Sequence, residues 1–183
     1  MSAPTIQSQR LEALSDEDLD QLCQAAIDAV TAGGGFGWVK APPRLTMEAY
    51  WRGLMLVPGR HLFVVRLDGV IAGAMELHEQ PANVEARAQI GKVRHGFLAH
   101  WARSQGLGQA LLAELEAGAR QAGLLALELD VRVTQNVAIR FFERNGYQLW
   151  GTHPHYAYID GGWVAGRHYH KLLDAPAAGG DQP

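Results

Sequence analysis

The sequence predicts an α+β (α/β) domain built on one sheet, and three observations carry that reading. Val- and Leu-rich strand-like runs alternate with helical apolar patterns. Asp68-Gly69 joins two apolar runs in the manner of a tight hairpin. A glycine-containing turn, Arg103 to Gly108, leads from a strand-like run into a helical one. At 183 residues, 48% of them hydrophobic and 19% charged, the chain has the size and composition of one globular domain. We expect that domain over residues 1–173, with a loose Ala-, Gly- and Pro-rich tail at 174–183.

In chain order, the first strand runs from Thr5 to Ala13. Ser15 is a helix N-cap followed by Asp16, Glu17 and Asp18, where the helix dipole favours acids. Leu19, Leu22, Cys23, Ala26, Ile27 and Val30 then make one apolar helix face, which ends at Gly33-Gly34-Gly35. Thr46 caps a second helix carrying Tyr50, Trp51, Leu54 and Met55. Strands follow at His61–Leu67 and Val70–Leu77, and another runs roughly from Arg87 to Ala99. A third helix spans Gly106 to Ala122 before Gly123. Leu124–Val133 reads as an apolar strand, and Thr134 caps a short helix that ends at Gly146. Two strands flanking Asp160-Gly161-Gly162 close the chain.

The formal net charge of −3 gives no electrostatic case for nucleic acid or an anionic membrane. No run of about 18 apolar residues exists to span a bilayer. Met1 to Arg10 lacks a hydrophobic signal region, and the lone Cys23 excludes an intramolecular disulfide. A cytoplasmic protein is the expectation.

The strongest chemical signal is Phe97-Leu98-Ala99-His100-Trp101-Ala102-Arg103-Ser104-Gln105-Gly106-Leu107-Gly108. Glycines at a helix N-terminus let a pyrophosphate approach free backbone N–H groups, and Arg103 adds a charged contact. The pattern is neither a P-loop nor the full dinucleotide fingerprint. Further on stands Ala138-Ile139-Arg140-Phe141-Phe142-Glu143, running to Gly146-Tyr147. In order and spacing, these two segments resemble the GNAT acetyltransferase superfamily. That family's signature is Gln/Arg-x-x-Gly-x-Gly/Ala and then a helix of the form Ala-Ile-x-Leu/Phe-Tyr-Glu-x-x-Gly-Tyr/Phe. A looser likeness to its tabtoxin-resistance branch rests on Asp28-Ala29-Val30, Tyr50-Trp51, Gly151-Thr152-His153-Pro154-His155-Tyr156-Ala157 and Tyr169-x-Lys171.

The resemblance implies a mixed, mostly antiparallel twisted sheet of seven strands with four helices, its central strands splayed to admit acetyl-CoA as co-substrate. It implies that Phe97, Leu98 and Ala99 pair with the pantetheine arm. Amides of Arg103, Ser104, Gln105, Gly106, Leu107 and Gly108, with Gln109 behind them, would hold the pyrophosphate. Gln135, Asn136 and Phe142 would flank the thioester. Phe142 stands where the family usually places an acidic Tyr and has no proton to give. Asp130 and Tyr156 are the candidate catalytic residues, with Glu128 as the alternative carboxylate. Lys92 or Arg94 falls where relatives often carry a base, and alternation puts the adjacent His95 on the other face. Trp38, Tyr50, Trp51 and Tyr156 are candidate substrate contacts. The implied acceptor is a small-molecule amine; the alternatives are a protein N-terminus or lysine, or a non-catalytic acyl-CoA-binding role. Relatives are often homodimers, but no interface is legible in the sequence. A two-residue Gly161-Gly162 loop would set His153 opposite His170 and His155 opposite His168. Ordinary exposed strand histidines explain that pattern as well, and no metal is expected.

Overall fold

The computed structural model describes residues 4–34, 37–81 and 83–173. Its elements are β1 (Ile6–Leu11), α1 (Asp16–Thr31), α2 (Arg44–Leu54), β2 (Arg60–Leu67), β3 (Val70–His78), β4 (Ile90–Leu98), α3 (Leu107–Gln121), β5 (Ala126–Arg132), α4 (Asn136–Arg144), β6 (Gln148–Ile159) and β7 (Gly162–Leu172). The strands form one seven-stranded sheet in the order β1-β2-β3-β4-β5-β7-β6. Only the central β4–β5 pair is parallel; the others are antiparallel. The expected mixed, mostly antiparallel sheet with four helices is what forms among the described residues. The tail expected at 174–183 lies outside them. No helix among the described residues is long and apolar enough to cross a membrane.

Alternation along the strands builds two cores. Leu62 and Val64 of β2 pack with Leu19, Leu22 and Ala26 of α1 and with Met47 and Trp51 of α2. Phe63 and Val65 face the other way, onto Leu111, Leu112 and Leu115 of α3 and Ile139 and Phe142 of α4. The sheet is therefore covered on both sides. Gly118 of α3 has no room for a side chain, since a Cβ there would lie 2.6 Å from the Phe63 ring.

Local signals explain most element ends. The Asp18 amide donates to Ser15 Oγ at 3.0 Å, capping α1. Asp68 and Gly69 both have positive φ, as a tight hairpin turn between right-twisted strands requires. The second helix begins earlier than the sequence suggests, at Arg44 rather than behind a Thr46 cap. Extended Pro43 occupies the N-cap position with no side-chain cap, and its carbonyl accepts from the Thr46 amide. Arg44 supports that first turn by reaching Glu48 at 2.7 Å and Asp20 at 2.8 Å.

Candidate active site

The site begins where the ladder stops. β4 and β5 pair only through Ile90–Ala126, Gly91–Leu127 and Lys92–Glu128, and then diverge. A bulge in β4 accompanies the divergence. Ala74 pairs with Phe97 but Glu76 pairs with Arg94, so Met75 opposes both His95 and Gly96. His95 takes the left-handed conformation at φ 47°, and an extra residue of this kind bends and twists a strand. Two cavities open at the gap, of about 1260 Å³ and about 560 Å³. Gly96, Gln135, Ala138 and Phe142 line both, so the cavities meet at these four residues.

The larger cavity is a groove over the start of α3. Arg103, Ser104, Gly106, Leu107, Gly108 and Gln109 line it, with Asn136, Arg140 and Arg144 on the α4 side. Ser104 and Gly106 have φ of 65° and 84°, and no side chain caps the helix. The N-terminal amides of α3 thus have no competing side-chain acceptor at the cap. Three arginines and no carboxylate line the groove among the described residues. That donor set fits a polyphosphate-bearing co-substrate. At Gly108 a Cβ would touch the Phe141 ring at 3.4 Å, so this glycine brings α3 and α4 close together.

Phe97 and Leu98 also line the groove. Ala99 does not: it is buried, its N–H already donates to the Ala72 carbonyl, and its carbonyl accepts from Ala102. At Ala99 the backbone N–H is thus taken by β3 and the carbonyl by the turn that follows. Gln105 likewise lies off the groove wall, its amide reaching the Trp101 carbonyl at 3.4 Å. Gln135 faces both cavities, and its side-chain amide donates to the Gly33 carbonyl at 3.0 Å.

The smaller cavity holds Asp130. Lys92 Nζ lies 2.6 Å from one carboxylate oxygen, and the Tyr156 hydroxyl donates to the other. Burial pushes the Asp130 carboxyl up, but the bonds from Lys92 and Tyr156 and the charges of Lys92 and Arg94 outweigh it and hold it below the ordinary value. Burial and the bond to Asp130 push Tyr156 well above an ordinary phenol. Tyr156 reaches Asp130 from β6, across β7. It does so because β6 carries extra residues between His153 and Ala157, and because the β7 residue beneath the ring is Gly166. A Cβ on Gly166 would sit 2.2 Å from the ring.

A second polar cluster stands beside this cavity, and the sequence reading missed its centre. Glu76 is fully buried and accepts from the Tyr50 hydroxyl, from His78 Nε2 at 2.8 Å and from His95 Nδ1 at 3.1 Å. Burial pushes Glu76 up, but these donors overcome it and hold the carboxyl at about 2. Burial and the adjacent Glu76 charge push Tyr50 far above an ordinary phenol. The tautomer follows from donor bookkeeping. Glu76 only accepts and Tyr50 gives its one proton to Glu76, so His95 Nδ1, 2.7 Å from the Tyr50 oxygen, must be the donor. The lone pair of neutral His95 is therefore on Nε2. The bulge corrects the expectation for this residue. Strict alternation would turn His95 away from Arg94, but the extra residue turns it toward α2 and the smaller cavity.

The remaining candidates scatter. Trp51 is completely buried in the core under α2, away from both cavities, and Trp38 packs edge-to-face on Tyr50 at 5.2 Å. Glu128 pairs with Arg87 at 2.7 Å. Cys23 is buried, which pushes its thiol up to about 11. The histidine register differs from expectation. The closing turn is Asp160-Gly161, and β6 slips twice, so His153 pairs with Gly166 and His168 with Gly151. No metal-binding cluster of His, Cys, Asp or Glu exists among the described residues.

The family model described as "Acetyltransferase (GNAT) family" matches residues 20–147. The chain is 50% identical over 127 residues to an uncharacterized N-acetyltransferase in the hisH-hisA intergenic region of Azospirillum brasilense, covering 69% of this chain and 76% of that one. It is 32% identical over 94 residues to the aminoalkylphosphonate N-acetyltransferase of Salmonella typhimurium, covering 51% of this chain and 60% of the relative's length. Among solved structures, an N-acetyltransferase from Staphylococcus aureus Mu50 matches with a TM-score of 0.76 at 17% identity, covering 94% and 99% of the two chains. The yncA protein of Salmonella typhimurium, solved with acetyl-CoA, matches with a TM-score of 0.73 at 18% identity, covering 99% and 100%.

Proposed function

Since the chain belongs to the acetyltransferase (GNAT) family, we propose that it moves an acetyl group from acetyl-CoA to the amine of a small molecule seated in the smaller cavity. The observation that carries this reading is the junction at Gly96, Gln135, Ala138 and Phe142. There, a groove suited to a long phosphorylated co-substrate meets a smaller cavity lined by Asp130, Lys92 and Tyr156. A relative named for acetylating aminoalkylphosphonates supports a small acceptor.

The co-substrate supplies an activated acyl thioester, and the chain's residues divide the rest of the work. Arg103, Arg140, Arg144 and the first amides of α3 bind its phosphates. The β4 edge at Phe97 and Leu98 takes the extended arm, and Gln135 and Asn136 stand beside the reacting end. Asp130, kept ionised by Lys92 and Tyr156, draws the acceptor's ammonium into the smaller cavity. A carboxylate held down in this way is a weak proton acceptor. The proton that must leave the amine before attack goes to His95 Nε2, whose ring is oriented by Tyr50 and Glu76. Phe142 gives the leaving sulfur no proton.

Calorimetric titration of acetyl-CoA into the protein tests the reading, with thiol release in the presence of an amine panel as the second measurement. We expect affinity in the range of about 1 μM to 1 mM, as is usual for enzyme substrates. Gly106→Trp, which fills the groove, should abolish binding in a protein that remains folded by circular dichroism. No binding to the wild type would refute the proposal.

A further inference from the structure

The smaller cavity has a lopsided charge. Lys92, Arg94 and Arg132 line it against one lining carboxylate, Asp130, and with the buried, ionised Glu76 beside it one positive charge is still left over. Lys92 is held by Asp130 at 2.6 Å. Among the described residues, neither Arg94 nor Arg132 makes an ion pair; Arg132 gives one hydrogen bond to the Gly34 carbonyl at 3.3 Å. The two arginines come from opposite sides of the gap, Arg94 from β4 and Arg132 from β5. Neither lines the groove over α3, so the co-substrate's phosphates do not account for them.

This arrangement is hostile to a plain cationic amine. An ammonium entering alone would add to this excess of like charge. A guanidinium is the side chain best suited to a flat or tetrahedral oxyanion, which it holds with paired N–H bonds. We propose that the acceptor carries an oxyanion, a carboxylate or a phosphonate, on the same small molecule as its amine, and that Arg94 and Arg132 bind it. The amine is thereby left to Asp130 and His95. The proposal rests on the reading of this cavity as the acceptor site.

The test compares acidic amines with neutral counterparts. β-Alanine and 2-aminoethylphosphonate are set against β-alaninamide and the diethyl ester of the phosphonate, and kcat/KM is measured by thiol release. Hydrogen bonds to a charged group suggest that the wild type prefers each acid over its counterpart by about 10- to 100-fold. Arg94→Gln and Arg132→Gln should each cut that ratio about tenfold through the KM of the acid, while acetyl-CoA binding shows that the variants remain folded. The carboxylate and phosphonate arms show which oxyanion is preferred. Equal use of acid and neutral amine, or a ratio unchanged in both variants, would overturn the proposal. Calorimetry with CoA-loaded protein separates the two levels of inference. Acid binding that is lost in Arg94→Gln but accompanied by no thiol release would support the oxyanion site and sink acetyl transfer. Acetyl-CoA binding intact, with neither acid bound, would sink the oxyanion site alone.

Discussion

Acid titration of stability reports directly on Glu76. Burial pushes this carboxyl up, and the bonds from His78, His95 and Tyr50 bring it down to about 2 from 4.5. A carboxyl depressed in the folded state contributes stability that is fully present above its unfolded value, near pH 4.5, and lost as the pH falls toward 2. The full contribution is about 2.5 pH units at 1.36 kcal/mol each, or about 3 kcal/mol. Of that, about 2 kcal/mol disappears between pH 6 and pH 3, because the unfolded chain takes up the proton while the folded chain refuses it. Glu76→Gln removes the titrating group, and the other carboxylates cancel in the comparison. Urea unfolding of both proteins at the two pH values is the assay. The wild type's advantage over Glu76→Gln should shrink by about 2 kcal/mol at pH 3. An advantage that does not change with pH would mean that Glu76 is not an ionised acceptor. The assignment of the Nδ1 proton of His95 would then fail with it.

Other perturbations address the cavity and the frame around it. Gly166→Ala should displace the Tyr156 ring from Asp130, costing about 1–3 kcal/mol of stability by overpacking and lowering kcat/KM for the amine in the same variant. His95→Gln should lower kcat by about 10²- to 10⁴-fold with acetyl-CoA affinity unchanged, the loss expected for a proton acceptor. Asp130→Asn should raise the KM of the amine more than it lowers kcat, because Asp130 is assigned to attracting the ammonium. Ser15→Ala should cost about 1 kcal/mol in thermal or urea unfolding and leave turnover untouched.

The elements that the sequence revealed are those set by local chemistry. Ser15 with its acidic turn, Asp68-Gly69, Gly123 and Gly146 each act within a few residues, and each marks an element end. The Arg103–Gly108 turn was legible for the same reason. What escaped depends on register. The β4 bulge inserts a residue without a sequence mark, so alternation misplaced His95, while the Asp160-Gly161 turn and the β6 slips, one of them at Pro154, moved the histidine pairs of the last hairpin. Glu76 looked like an ordinary strand residue because its partners come from α2, β3 and β4. Gly166 gave no warning either, since its purpose is to leave room for a ring ten residues earlier. Trp51 was drawn toward the substrate by its neighbour Tyr50, yet on a helix adjacent residues point about 100° apart, and Trp51 faces the core.

The parting of β4 from β5 creates two strand margins in the middle of the sheet, and these would ordinarily invite another chain to add itself. Their position disarms them. They are recessed between halves that rejoin at Ile90–Ala126, and α3 and α4 roof one side, so a foreign strand with its side chains meets walls on approach. The outer margin at β6 has no such shelter. It is protected by irregularity instead, with two slips of register and Pro154 breaking the flat run that aggregation would need. The sheet thus shelters its inner margins by recessing them and guards the outer margin at β6 by making it irregular.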